Sequence, residues 1–533
     1  MRRLTLSVAI LIALACAASA AASPVFVLRG HGWGHGVGMS QYGALGRAVD
    51  GQGYKQILGF YYDGTNVGQT ARRKIRVLLM DAQTSVTLRS SATFKVGDKK
   101  LAPFTDYTAV PTSDGKVRVI GKGRFASPAT VTPGSGFLRI DGLRYRGNLR
   151  LFNDGGSLQV VNVVALQGYL YSVVPREMPA GWATEALKAQ AVAARSYAVR
   201  ASRGGHRFDI YDDTRDQVYG GLDYGSGEES SSTTAVKATA GEVVVYKGSV
   251  ASTYFSSSNG GRTAASVDTW GGNLPYLVSK KDPEDLIAAN PNRSWRVRLT
   301  PGGLANRLGS SRRPTDAIVT QRASGRVAAI KLIQPGWSHT FPGGPEHFRG
   351  ALGLRSSVFA LGVLNIVPAQ LQTVCKGRLS LDVFARNMPD VTLQSRRSLG
   401  GAWTNRTAIA TDRATVVDRP CRGTTYRLHS PAGAGGNVAV RVVPQIAFRA
   451  TQPAGGVALR GFVKPVRLAG ETVYVSRKRD GGWHRVATTT VRDDGSWRAE
   501  FHAIEGTYRA RINPAASTGL VQGISPPFAF TLH

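Results

Sequence analysis

Residues 184–199, TEALKAQAVAARSYAV, are the stretch that most narrows what this chain can fold into. They contain neither Gly nor Pro, in a chain where 63 of 533 residues are Gly. The stretch is rich in Ala, the strongest helix former. Leu187, Ala191, Ala194 and Ala198 recur at three- and four-residue steps. That spacing predicts a long helix with one closely packing face, capped by Thr184, with Glu185 set against the helix dipole. Elsewhere the pattern is of short strands. Residues 75–79, 85–88, 116–120, 149–152 and 158–161 are β-branched or alternating runs between Gly, Pro, Asp and Ser breaks. The expected fold class is therefore mixed α+β, mainly β, with one long helix.

At 533 residues the chain has room for three or four domains. From about 365 it is strand-rich again, and two stretches look alike. Gly400-Gly401-Ala402-Trp403 precedes Thr424-Thr425-Tyr426-Arg427, and Gly481-Gly482-Trp483 precedes Gly506-Thr507-Tyr508-Arg509. This repeat predicts two small β-sandwich modules, Ig-like in size, at 366–448 and 449–533. Asp493-Asp494-Gly495-Ser496-Trp497 predicts a hairpin turn in the second.

The start of the chain reads as an export signal. Met1-Arg2-Arg3 is followed by an apolar run from Leu4 to Ala15 and by small residues at 18–22. Residues 1–22 are thus expected to be a signal peptide, the alternative being an uncleaved anchor. With Cys16 removed, Cys375 and Cys421 remain, and an oxidising compartment favours a disulfide between them over two separate thiols. Lys and Arg number 67 against 34 Asp and Glu, a formal charge of +33. Outside the cytoplasm such charge concentrates a protein at an anionic cell envelope, and no Lys/Arg block of a nucleic-acid tail is present. Secreted, wall-associated localisation and no nucleic-acid partner follow as expectations.

Two segments can carry chemistry. Residues 30–44, GHGWGHGVGMSQYGA, fit neither phosphate-loop spacing. His31 and His35 are four apart, but the intervening glycines argue against a helical metal pair. The alternating glycines instead let backbone approach a partner closely, and His35, Ser40 and Gln41 form a polar line that can wall a site. The second segment is Tyr169-Leu170-Tyr171-Ser172-Val173-Val174-Pro175-Arg176-Glu177-Met178-Pro179. It reads as an apolar strand running into a Pro-bracketed turn that carries Glu177. Apolar neighbours can desolvate this carboxyl and raise its pKa, as a general acid requires.

Together these segments resemble the SpoIID/LytB family, named for stage II sporulation protein D. The resemblance rests on residues 174–179 (VPREMP), 185–197 (EALKAQAVAARSY), 217–221 (QVYGG), 254–263 (YFSSSNGGRT), 275–277 (PYL) and 34–44, with 348–356 (FRGALGLRS) similar to the late part of the family domain. In the family the segment matching 34–44 comes at the C-terminal end, so the order here looks circularly permuted. The resemblance covers about 25–360 and implies a SpoIID-type catalytic domain over 23–362.

It further implies a peptidoglycan lytic transglycosylase, cleaving the MurNAc–GlcNAc bond of glycan strands, with Glu177 as the catalytic residue. One carboxyl suffices if the muramic C6 hydroxyl is the nucleophile, because intramolecular attack has a large proximity advantage. A hydrolase would need a second carboxylate from among Asp212, Asp213, Asp216 and Asp268. Lys188, Gln190 and Arg195 are candidates for orienting Glu177 or gripping a sugar carboxylate. Tyr219, Tyr254, Ser256, Ser257 and Ser258 are candidates for lining a sugar groove. Some family members hold zinc with a His and two Cys. Here His206 is followed by Tyr211 and Asp216 where the cysteines would stand, so neither zinc nor any other cofactor is expected. The alternative reading is a non-catalytic wall-binding protein or amidase enhancer, partnered by a wall amidase.

Overall fold

The computed structural model describes residues 23–201, 205–223, 227–451, 457–502 and 504–531. The expected signal peptide, 1–22, lies outside them. The described chain is mainly β, in several sheets, with a small group of helices. Among the described residues no helix is long and apolar enough to cross a membrane.

The first strand, Val25–His31, explains how the two ends of the 25–360 region meet. It pairs antiparallel with Trp295–Leu299 on one side and Val358–Pro368 on the other. Phe26, Val27 and Leu28 are wholly buried there. Leu379–Arg386 and Arg413–Asp418 extend the same sheet, so the strand Val358–Pro368 runs continuously into the tail. The glycine-rich segment after His31 is thereby delivered alongside residues 255–264.

Residues 37–277 build the largest core. A seven-stranded sheet contains the long strands Lys74–Gln83 and Ser157–Ala165, which pair antiparallel, and a six-stranded sheet is built from the same region. All five strands expected at 75–161 form, some longer or shorter by a few residues. The helices that bear on the site are α1 (Gln41–Val49), α2 (Tyr54–Tyr61), α3 (Leu166–Glu177), α4 (Thr184–Arg200) and α5 (Ser230–Ala238).

Helix α4 is the expected alanine-rich helix. It packs against α1, α2, α3 and α5, with Ala186, Ala189, Ala191, Ala193, Ala194 and Ala198 fully buried. Side chains this small let four helices approach one axis. Two details differ from the sequence expectation. The N-cap is Ala183, one residue earlier than Thr184, and no side chain caps it. Glu185 does not simply face its own dipole: its carboxylate accepts from the Tyr54 N–H at 2.8 Å, at the start of α2, and pairs with Lys188 at 2.7 Å.

The larger correction is at α3. The run expected as an apolar strand before Glu177 is helical from Leu166. Local β propensity of Tyr and Val loses to tertiary packing, since Tyr169, Leu170, Val173 and Val174 are fully buried at helical spacing against α4 and α5. Glu177 is the last residue of this helix, not part of a free turn.

In the tail, one core joins residues 364–440 and another joins 442–520. Cys375 and Cys421 are disulfide-bonded, and Cys375 packs into the second of these cores. The repeated sequence pair is a repeated structure. Arg427 lies over the Trp403 ring at 4.0 Å, and Arg509 lies over Trp483 at 4.2 Å. The turn at 493–497 joins strands of two different sheets, Gly482–Thr490 and Ser496–Phe501, so it is not the expected hairpin.

Candidate active site

Glu177 stands where a helix ends, and the partial negative charge of a helix C-terminus disfavours a carboxylate. Burial acts in the same direction and dominates, pushing the Glu177 carboxyl above its ordinary range. Two hydrogen bonds to the charged form oppose it. The Val218 N–H donates to Oε1 at 3.0 Å, and the Gln41 side chain supplies the second. The side chain is half-buried, so it is held without being sealed from a ligand.

The Gln217-Val218-Tyr219 segment that presents this N–H is itself braced. Tyr169 donates its hydroxyl to Gln217 Oε1 at 3.0 Å. Asp216 accepts from the Tyr197 hydroxyl and the Tyr211 N–H, each at 2.8 Å. Helices α3 and α4 therefore both hold the loop that faces Glu177.

Gln41 arrives from the glycine-rich segment, which runs beside residues 254–258. Met39 and Ser40 pair in parallel with Phe255 and Ser256. The approach is close enough to exclude side chains: at Gly38, with φ +70°, a Cβ would meet the Tyr254 carbonyl oxygen at 2.1 Å. Ser40 caps α1, accepting from the Gly43 N–H at 3.1 Å, and donates to Asp285 Oδ1 at 2.5 Å. Asp285 is fully buried and also accepts from the Ser258 hydroxyl and from the backbone N–H groups of Asn259, Gly260 and Gly261. One carboxylate thus ties the glycine-rich segment to the 256–261 loop. Nothing in the sequence around Asp285 signalled this role.

His35 is half-buried, with its ring 5.1 Å from Trp270 and 6.4 Å from Tyr254. Its Nδ1 accepts from the Val37 N–H at 3.0 Å. Burial, with Arg326 and Arg349 nearby, pushes its pKa down to about 3, so the ring is neutral. Tyr254 in turn contacts Trp270 at 4.7 Å and Tyr197 at 5.8 Å. Beside Gln41, Tyr42 packs on Trp182 at 4.8 Å. Trp270 is 45% exposed. Trp182 and Trp270 are aromatic surfaces that the sequence reading passed over. The position of Trp182, five residues beyond Glu177, was the available signal.

The remaining expected site residues are placed less directly. Lys188 is engaged by Glu185, and its ammonium sits 5.7 Å from the Tyr54 ring centroid. Arg195 is buried and donates to the Glu242 and Val236 carbonyls and to Gln167 Oε1. It holds α4 to α3, α5 and the strand after α5, and none of these partners is Glu177. Tyr219 is a core residue, donating to Asn162 Oδ1 at 2.7 Å and packed 5.0 Å from Tyr169. Ser256 accepts from the Gly36 N–H at 3.3 Å, Ser258 is spent on Asp285, and only Ser257 of the three has its side chain partly open. Gln190 is fully buried, and neither of its amide atoms has a hydrogen-bond partner among the described residues.

Of the alternative carboxylates, Asp213 is paired with Arg215 at 2.7 Å, and Asp268 accepts from Ser324. Asp212 is half-buried, and its pKa is pushed up to about 6, first by burial and then by Asp213. The segment corresponding to a zinc site does not fit that metal. It offers no thiolate, and the Asp216 carboxylate is already occupied by Tyr197 and Tyr211.

The family model for SpoIID, stage II sporulation protein, matches residues 154–246, which hold Glu177, α4 and the 217–221 segment. An amidase enhancer of Bacillus subtilis is 37% identical over 164 residues, 30% of this chain and 21% of that protein. Stage II sporulation protein D of B. subtilis is 31% identical over 218 residues, 38% of this chain and 61% of that protein. An uncharacterized protein of Brachyspira hyodysenteriae is 30% identical over 272 residues, 48% of this chain and 72% of that protein. The chain therefore spans about a fifth of the amidase enhancer and three fifths of stage II sporulation protein D. Among solved structures, the human OSCAR ligand-binding domain aligns over 31% of this chain at a TM-score of 0.15, too low to argue from. The motif-bearing region, the match to the family model and these relatives agree: the chain is a member of the SpoIID family.

Proposed function

We propose that this protein is a peptidoglycan lytic transglycosylase that acts on the glycan strands of the cell wall, outside the cytoplasm. The reading is carried by the Glu177 carboxyl, partly withdrawn from water and raised in pKa, yet held in place by Val218 and Gln41. A carboxyl so tuned keeps its proton to higher pH than a solvated one, which suits it to act as a general acid. It donates its proton to the glycosidic oxygen as the C1–O bond breaks. The C6 hydroxyl of the same muramic residue attacks C1, and its proton passes to the Glu177 carboxylate. A 1,6-anhydro end forms and the enzyme is returned to its starting protonation state. His35 stays neutral and shapes the wall, while Tyr42, Trp182, Tyr254 and Trp270 offer ring faces to pyranose rings. Residues 366–448 and 449–533, read as Ig-like sandwich modules, would hold the 23–362 catalytic domain at the wall.

One observation favours a second reading. A relative that is 37% identical over 164 residues is named an amidase enhancer, and on that reading this chain would assist a wall amidase without cutting glycan itself. Digestion of peptide-free glycan strands by the wild-type protein alone, followed by mass spectrometry of the ends, separates the readings. New 1,6-anhydro ends support the transglycosylase. New reducing ends make it a hydrolase, with Asp212 the first second carboxylate to test. Intact strands favour the enhancer.

A further inference from the structure

We propose that the first tail unit carries a binding site for a linear phosphodiester polymer without bases, of which poly(glycerol phosphate) is the simplest example. The site is a cavity of about 610 Å³ lined by Arg396, Arg397, Arg406, Arg419 and Arg422, with Asp418 as its single acid. The Asp418 carboxylate is already engaged, accepting from the Tyr426 hydroxyl at 2.6 Å and the Arg419 N–H at 2.7 Å. The side chains of Arg397, Arg419 and Arg422 make no hydrogen bond or ion pair among the described residues. Residues 366–448 hold eleven Lys and Arg against four Asp and no Glu, a strong positive excess in which this opening gathers five of the arginines.

The neighbouring arginines feel this charge. Arg467 is held below its usual range by burial and by Arg422 and Arg397, and Arg427 by burial and by Arg396. Unneutralised guanidinium groups gathered around one opening are a standing anion site, and their planar forks match phosphate oxygens. The arginines come from two adjacent strands, Val391–Arg397 and Gly400–Ile409, and from the segment after Arg413–Asp418. The Cys375–Cys421 disulfide anchors that segment between Arg419 and Arg422. This spread suits several successive charges better than one phosphate.

The lining also says what the ligand lacks. It contains no aromatic ring. Trp403 nearby is already covered by Arg396 at 4.6 Å and Arg427 at 4.0 Å. Single-stranded nucleic acids gain much of their affinity from stacking on free rings, and this site has none to give. The proposal does not depend on the reading of Glu177.

The test is titration of the full chain with poly(glycerol phosphate) and with an oligothymidylate of equal charge, at several salt concentrations. The expected result is salt-sensitive binding of poly(glycerol phosphate), tighter than that of the oligothymidylate. R397Q/R422Q should weaken it roughly tenfold, because two charge-assisted contacts are lost. R118Q/R150Q removes the same charge from exposed positions in the other part of the chain and should leave binding within about twofold. Both pairs are exposed, so folding is not at stake. No binding, equal loss in both double variants, or tighter binding of the oligothymidylate would overturn the proposal.

Discussion

The Val218 backbone N–H donates to Glu177 Oε1 at 3.0 Å, joining the end of α3 to the 217–221 segment 41 residues away. With Gln41 as the second donor, three separated parts of the chain meet at one carboxyl. This junction positions Glu177 and opposes the rise in pKa that its burial causes.

Replacing Gln41 should move that acidity in a stated direction. Its hydrogen bond favours the charged carboxylate, so Gln41→Met removes support for the charged form and raises the Glu177 pKa further. Glycan cleavage needs the protonated acid and falls as pH rises through this pKa. The alkaline limb of the pH–rate profile should therefore shift upward by about one pH unit. A pH–rate series on both proteins checks it, and a downward shift would contradict the assigned role.

Asp285 should matter more to stability than its place in the sequence suggests. Asp285→Asn keeps the shape but sets an amide among two hydroxyl and three backbone N–H donors. The expected cost is about 2–4 kcal/mol, read by urea unfolding. Because Ser40 precedes Gln41, activity should fall together with stability.

His35 predicts an acid-side loss of stability. Its folded pKa of about 3 lies below the ordinary 6.5. Below pH 6.5 the unfolded chain takes up a proton that the folded one refuses, so stability falls as pH drops from about 6.5 toward 3. Above 6.5 this group contributes no slope. After allowance for partial exposure the effect amounts to roughly 1–3 kcal/mol. His35→Gln should flatten the unfolding midpoint across that window.

The tail disulfide closes a separation of 46 residues, for which chain entropy gives about 4 kcal/mol. Cys375→Ser with Cys421→Ser should lower the melting temperature of the tail and leave the 23–362 region unaffected, as calorimetry would show. Two titratable thiols in the native oxidised protein would contradict the bridge itself.

What could be read from the sequence follows a physical line. Helix α4 was legible because propensity and packing agree: alanine favours helix locally, and small side chains suit the crowded centre. Helix α3 was not, because Tyr169 to Val174 favour a strand locally and are made helical by burial against α4 and α5. Gln41 was legible through its motif, since the glycines around it mark close backbone approach. Asp285 was invisible, because its donors come from residues 24 to 245 positions away and meet only after the first strand enters its sheet. Arg195 was picked out by its motif, but its hydrogen bonds go to Glu242, Val236 and Gln167, which makes it a packing tie.

The most direct test is Glu177→Gln, assayed for both binding and cleavage of peptide-free glycan strands. The amide keeps the shape of the carboxyl and can still accept from Val218, so fold and glycan affinity should be retained. Cleavage should fall by about 10²–10⁴-fold, the usual worth of a general acid–base group. Undiminished formation of 1,6-anhydro ends by the variant would contradict the account.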